Sequence, residues 1–333
     1  MSAEPLWITE ADVVALMDLG QAIDALEAGL KLEAQGAAQN MSKTHVTWGK
    51  GDTLHAIGAT FEGAGLVGTK TWAHTEGGAT PLLIIWDAHT GALQAIIEAF
   101  ALGQMRTGAM SGVATRWMAS PSADLLAMIG TGKQAMTQLA AVAAVRPLKK
   151  VRVYSRDPAK RAKFAEAAMS QGFGFAIEAA ESVAAATRDA PIVTLVTRAR
   201  EPFFTSVHAM KGAHINAVGA ITPEREEFAQ DIMPRVGLVA ADDPAAARRL
   251  SKEFRDFYGA TDAAWKAVRP ISAVIAGGQG RPSACDLSVF KAMGMGISDL
   301  ALGMQILGAA REQKRGRSFE PPKKAVPRLK SNA

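Results

Sequence analysis

Residues 125–135 read Leu-Leu-Ala-Met-Ile-Gly-Thr-Gly-Lys-Gln-Ala, and the architecture of the chain can be worked out from them. A short apolar run ends in two glycines one residue apart, and a helix-compatible segment follows over 133–146. A buried parallel strand turning sharply into a helix has this form. Gly130 permits the tight turn and Gly132 lets a diphosphate approach the backbone. The helix N-terminus then offers N–H groups and partial positive charge to that anion. Ala135, at the third position of the fingerprint, is small enough for the helix to lie close to the strand. Alone, such a turn is equally compatible with an ordinary loop.

The surroundings favour the dinucleotide reading. Downstream, strand and helix patterns alternate: strand 151–155, helix 158–171, strands at 173–177, 191–196 and 213–218, and one near 236–241. This rhythm predicts a parallel, doubly wound α/β sheet, a Rossmann domain over about 120–299. The Ala-, Gly- and Met-rich segment 287–308 reads as largely helical, with a helix at about 300–315 packing back on the first domain.

Upstream the pattern differs. Thr9 caps a short helix through Leu16, and an amphipathic helix runs over about 21–35 and stops at Gly36. Extended segments follow at 43–48, 53–61, 66–73, 80–87 and 93–98, separated by glycine-containing turns. They predict an antiparallel sheet, hence an N-terminal α+β domain over 1–119. From 101 to 119 the period becomes helical, and Arg106 falls on the apolar face with Met110, Val113 and Trp117. An arginine there, near a helix N-terminus, opposes the macrodipole unless an anion sits beside it. The competing reading is a snorkelling or salt-bridged arginine.

Composition excludes several classes. The chain has 333 residues, 48% of them hydrophobic, enough for two substantial cores. No apolar run approaches the ~18 residues a bilayer span needs. Glu4, Glu10 and Asp12 interrupt the N-terminus, unlike a secretory signal. The single cysteine, Cys285, fits a reducing cytoplasm and forms no intramolecular disulfide. His74-Thr75-Glu76 has no downstream cysteine pair, so no metal site is expected. The net charge of +5 is concentrated between Arg311 and Lys330, beside Pro321, Pro322 and Pro327. A solvated, disordered basic tail over 316–333 accounts for it without a nucleic-acid partner.

Cofactor choice depends on the end of the second Rossmann strand. A carboxylate there would accept the ribose 2′-hydroxyl of NAD(H). Here Ser155 and Arg156 suit a 2′-phosphate, so NADP(H) is expected. The alternative leaves Arg156 on the adenine or in solvent and gives the ribose to Asp157, admitting NAD(H).

Taken together, several stretches resemble the ornithine cyclodeaminase/mu-crystallin family. They are Gly68-Thr69-Lys70, Met105-Arg106-Thr107-Gly108-Ala109, Gly130-Thr131-Gly132-Lys133-Gln134-Ala135, Gly212-Ala-His-Ile-Asn-Ala-Val-Gly219-Ala220 and Val289-Phe-Lys-Ala-Met-Gly-Met-Gly-Ile-Ser-Asp299. The resemblance runs from about Ile8 to Leu307. It implies a Rossmann domain plus an N-terminal α+β domain that pairs across a homodimer. It also implies Lys70 as the active-site lysine and Arg106 as the arginine that holds a substrate carboxylate. Cofactor contacts are implied at Gly130, Thr131, Gly132, Lys133, Gln134, Ser155, Arg156, Thr197, Arg198, Val218, Gly219 and Ala220.

Two departures from the family pattern bear on the chemistry. Cyclodeaminases carry an aspartate just after the Val-Gly-Ala/Gly stretch, whereas here the position is Ile221, which neither accepts a proton nor orients water. The reductase and mu-crystallin branches lack that aspartate too. The family's arginine on the first extended strand is replaced by Lys43, which keeps the charge and loses the fork. His45, His55 and His74 lie on or beside the same strands; His74, four residues past Lys70, is the best placed as a proton donor, while a structural role is open for each. His214 reads as structural.

The expectation is therefore an NADPH-dependent reductase of a small imino acid, or the reverse amino-acid dehydrogenase. Arg106 and Lys43 would bind the carboxylate, and Lys70 or His74 would supply the proton. Two alternatives stand beside it: a cyclodeaminase that recycles its cofactor, and a cofactor-dependent binding protein without turnover.

Overall fold

The computed structural model describes residues 4–330. The chain opens with β1 (Leu6–Ile8), α1 (Glu10–Leu16) and α2 (Leu19–Ala34). Thr9 caps α1 in a reciprocal capping box with Asp12, and Asp18 does the same for α2 with Gln21. Next come β2 (Ala38–Trp48), β3 (Asp52–Phe61), β4 (Leu66–Thr75), β5 (Gly78–Ala79), β6 (Leu82–Asp87) and β7 (Leu93–Glu98), then α3 (Phe100–Met118). The Rossmann half follows with β8 (Leu125–Ile129), α4 (Ala135–Val145), β9 (Lys150–Tyr154), α5 (Pro158–Met169), β10 (Ala176–Ala179), α6 (Val183–Thr187), β11 (Ile192–Leu195), β12 (His214–Ala217) and β13 (Val236–Ala241). The chain continues through α7 (Pro244–Leu250), α8 (Lys252–Tyr258), α9 (Asp262–Trp265), β14 (Arg269–Pro270), α10 (Ile271–Ala276), β15 (Leu287–Lys291), α11 (Gly296–Glu312) and β16 (Arg317–Ser318).

Two sheets result. The second runs β10-β9-β8-β11-β12-β15-β13-β14 and is parallel throughout. Chain order reverses between β8 and β11, and a crevice at the carboxyl ends of strands is expected at such a switch point. The first sheet runs β16-β1-β7-β6-β4-β3-β2, with β5 on β4. Its antiparallel character needs one correction, because β1 pairs with β7 in parallel. Three residues beside a proline are too short to show a strand period.

The segment 287–308 also divides differently from the sequence reading. Residues Leu287–Lys291 form a central strand, buried at every position, and only then does α11 begin at Gly296. An apolar run buried on both faces has no alternation to distinguish it from a buried helix. Helix α11 crosses back to the first sheet so closely that a Cβ on Gly296 would lie 1.8 Å from the carbonyl oxygen of Gly58. Only glycine fits there. The contact fixes the first turn of α11 over β3 and β4, and one apolar cluster joins Phe61 and Ile85 of the sheet to Leu300 and Ile306 of the helix. Within the expected tail, Arg317 and Ser318 pair with β1, and Phe319–Lys330 forms no regular element; residues 331–333 lie outside the described chain. Among the described residues no helix is long and apolar enough to cross a membrane.

Candidate active site

The cofactor side is a cleft of about 950 Å³ at the carboxyl ends of β8, β9 and β11, at the switch point. Gly130, Thr131, Gly132, Ser155, Arg156, Thr197 and Arg198 line it, as does Lys160. Gly130 has φ +119°, and a Cβ there would meet the Val196 carbonyl oxygen at 2.5 Å. Nothing within 4 Å would meet one on Gly132, so the backbone is open to a ligand. Helix α4 starts at Ala135, two residues later than expected, with no side-chain cap from Gln134. Lys133 and Gln134 form the turn into it, while Val218, Gly219 and Ala220 follow β12 outside the lining of this cleft. These features fit a dinucleotide diphosphate.

The end of β9 bears on the 2′-position. Asp157 caps α5, accepting from the Ala159 and Lys160 amides at 3.0 and 3.2 Å. Its carboxylate is thereby turned to the helix. Ser155 Oγ donates to the Asp157 carbonyl at 3.0 Å, and the exposed Arg156 and Lys160 are the charged groups beside it in the cleft.

The candidate substrate side centres on a buried ion pair. Lys70 projects from β4, and its ammonium donates to Asp299 Oδ1 in the first turn of α11. Lys70 is 4% exposed and Asp299 1%. Arg106, on α3, brings its Nε to 3.3 Å from the same oxygen. Asp299 Oδ2 is buried and has no hydrogen-bond partner among the described residues, an acceptor left open inside the candidate site. Burial pushes the Lys70 ammonium down to about 8, with Arg106 adding to that effect and Asp299 opposing it. The arginine expected to need an anion has one within its own chain.

A Cβ on Gly294, just past β15, would come within 3.1 Å of Arg106 Nη1, so the guanidinium sits at the same carboxyl edge of the Rossmann sheet as the cleft. Gln138 of α4 donates to the Thr107 carbonyl at 3.0 Å, which ties the cofactor helix to the turn of α3 that carries Arg106.

Lys43 approaches from β2, its ammonium 5.9 Å from the centre of the Trp72 ring; Lys70 lies 5.3 Å from that ring. Burial and the neighbouring Arg106 lower the Lys43 pKa. Trp72, which sequence reasoning did not single out, stacks on His55 at 4.7 Å, and His55 stacks on His45 at 5.4 Å. Burial and the charge of Lys43 hold His55 down to about 4, so its ring is neutral at pH 7. His74 is exposed and pairs with Thr53 and Ala79, roughly 13 Å along β4 from Lys70 at strand rise. The structure thus gathers Lys43, Lys70 and Arg106 and leaves His74 apart. Ile221 follows the end of β12 half-buried and packs on the Rossmann core. His214 is fully buried, with Ser288 and Asn216 as partners at 3.0 Å each.

In the sequence Asp299 stands out only as the last residue of the Val289–Asp299 motif. Its signal was an acidic residue in the first turn of a helix after Gly-Met-Gly-Ile-Ser.

Comparison with known proteins agrees with this fold. The chain is 29% identical over 312 residues to an alanine dehydrogenase of Archaeoglobus fulgidus, covering 90% of this chain and 93% of that one. The Thermococcus litoralis Δ1-pyrroline-2-carboxylate reductase, solved in complex with NADH and L-proline, superposes with a TM-score of 0.86 at 26% identity, over 94% of this chain and 100% of that one. An archaeal alanine dehydrogenase dimer with bound NAD gives 0.86 at 26% identity, over 96% and 99%. The ornithine cyclodeaminase/mu-crystallin family pattern matches residues 4–314. With its parallel Rossmann-like sheet beside a mixed N-terminal sheet and its match over nearly the whole length, the chain belongs to the ornithine cyclodeaminase/mu-crystallin family.

Proposed function

We propose that this protein is an NADPH-dependent reductase of a small imino acid, able to run in reverse as an amino-acid dehydrogenase. The observation that carries the reading is the buried Lys70–Asp299 pair with Arg106 beside it, on the same carboxyl edge of the Rossmann sheet as the dinucleotide cleft, with no titratable group at Ile221. The names of the similar alanine dehydrogenase and pyrroline-2-carboxylate reductase support the same class.

Arg106, with Lys43, holds the substrate carboxylate; its guanidinium is the group able to grip two oxygens at once. Held there, the imine nitrogen faces Lys70, whose lowered pKa of about 8 makes it a competent acid near neutral pH. Asp299 keeps Lys70 aimed, and its open Oδ2 can accept from the substrate N–H. A dinucleotide held along Gly130, Gly132 and Ser155 would supply hydride to the imine carbon. Ser155, Arg156 and Lys160 favour the 2′-phosphorylated form, since Asp157 is committed to its helix cap.

A homodimer is part of the reading. Val46, Trp48 and Leu54 leave 58%, 43% and 47% of their surface exposed on β2 and β3, a patch suited to a second copy. Mixing the enzyme with NADPH and a panel of cyclic ketimines, or pyruvate with ammonia, tests the activity. Loss of NADPH absorbance with one of them is expected, and no loss with any between pH 6 and 9 counts against it.

A further inference from the structure

One buried carboxylate joins the turns after β11 and β12 and takes no part in the chemistry above. Glu227 Oε1 accepts from the Thr197 amide at 2.6 Å and from its hydroxyl at 2.8 Å. Its Oε2 accepts from the amides of Gly219 at 2.8 Å and Ala220 at 3.1 Å. Four donors converge on a side chain with no exposed surface. The turns they come from are pressed together, since a Cβ on Gly219 would lie 1.9 Å from the Thr197 carbonyl oxygen.

Glu227 is itself held from behind. Its amide donates to Glu253 Oε1 at 2.9 Å, and Glu253 Oε2 accepts from Lys291 Nζ at 2.8 Å and Ser251 Oγ at 3.0 Å. Glu253 and Lys291 are fully buried, and Lys291 ends β15, the neighbour of β12. Two carboxylates against one ammonium is a costly arrangement for an interior. Three adjacent strand ends, β11, β12 and β15, are thereby fixed to one another. In a doubly wound fold the adenosine half of a dinucleotide lies over the strands on one side of the switch point, here β8 and β9. Its nicotinamide half crosses to the other side, here β11 and β12.

We infer that Glu227 is a positioning residue which locks the turns after β11 and β12 into a rigid floor for the nicotinamide half of the cofactor. The inference rests on the dinucleotide reading of the cleft. Glu227 touches neither the adenosine end at Ser155 nor the Lys70 cluster, so its effect is confined to one half of the ligand. In Glu227→Gln an amide NH2 replaces one acceptor oxygen, sets a donor against backbone N–H groups and frees one turn.

The test compares affinity for the whole reduced cofactor with affinity for the fragment lacking nicotinamide. The pairs are NADPH with 2′-phospho-ADP-ribose, and NADH with ADP-ribose. Wild-type protein that binds neither pair overturns the cofactor reading itself. If wild type binds, the whole cofactor should bind more tightly than its fragment. In Glu227→Gln that advantage should shrink at least tenfold, with loss of the enhanced emission of the bound reduced nicotinamide, while fragment affinity stays within twofold. Thr197→Val, which removes one donor and keeps the shape, should give the same pattern, about threefold, and decides the matter if Glu227→Gln does not fold. Equal weakening of cofactor and fragment, an unchanged advantage, or no advantage in wild type overturns the inference.

Discussion

Lys70 and Asp299 stand 229 positions apart in the chain and meet as an ion pair in the interior. One comes from the fourth strand of the first sheet, the other from the helix that returns after the Rossmann domain is complete. The candidate site therefore forms only once these two distant segments have folded together. Replacing Asp299 by Asn removes the group that holds the ammonium charged and aimed. Loss of a positioned proton donor lowers kcat by about 10²- to 10⁴-fold. Leaving Lys70 buried without its partner costs roughly 3–5 kcal/mol, which urea unfolding will report as a lower midpoint.

The pH profile carries a sign that can be checked. In the proposed mechanism Lys70 donates its proton in the reductive direction, and burial brings its pKa down to about 8. Reduction should run at its plateau below that value and fall as pH rises through it. The reverse oxidation needs the free amine and should rise over the same range. The stability sign is separate. A lysine whose folded pKa lies below its unfolded value binds fewer protons folded than unfolded between the two, so the fold gains stability as pH rises from about 8 toward 10.5. Rate profiles in both directions, with thermal midpoints over the same buffers, check both signs.

Arg106→Lys keeps the charge and loses the fork. If the guanidinium grips the substrate carboxylate, KM should rise by about tenfold or more, in line with the greater strength of bidentate charge-assisted bonds. Cofactor affinity should be unchanged, because Arg106 lies outside the lining of the cleft. Initial-rate kinetics and a cofactor titration on one preparation separate the two effects.

Ser155→Asp tests the cofactor choice. It sets a carboxylate at the end of β9 that is not consumed by a helix cap, unlike Asp157. Close to a 2′-phosphate, one added negative charge should weaken NADPH by about tenfold or more, while NADH binding holds or improves. Titration calorimetry with both cofactors measures this directly. Equal loss of both would mean that the substitution had disturbed the turn rather than its charge.

Much of this arrangement could be read from local pattern. The strand at Leu125–Ile129, the Thr9 cap and the glycine turns of the first sheet each follow from a few neighbouring residues, and the structure has them there. What pattern could not supply was long-range pairing. Asp299 looked like any acidic residue in a first helical turn until α11 was laid over β4. Trp72 looked like an ordinary strand aromatic until Lys43 and Lys70 flanked it. Buried position erases the signal in β15, where an apolar strand without alternation reads as helix. His74 had the reverse history: its spacing from Lys70 put it on the right face of β4 but too far along the strand.

The central claim is that hydride is transferred to the substrate and kept there, which the absence of a proton-handling side chain at Ile221 supports. Incubating the protein with NADPH carrying deuterium at the transferable position and an accepted imino acid, then reading the product by mass spectrometry, tests it most directly. The expected result is one deuterium on the α-carbon of the amino acid for each cofactor oxidised. Ammonia release from ornithine or lysine with no net change in the cofactor would contradict it.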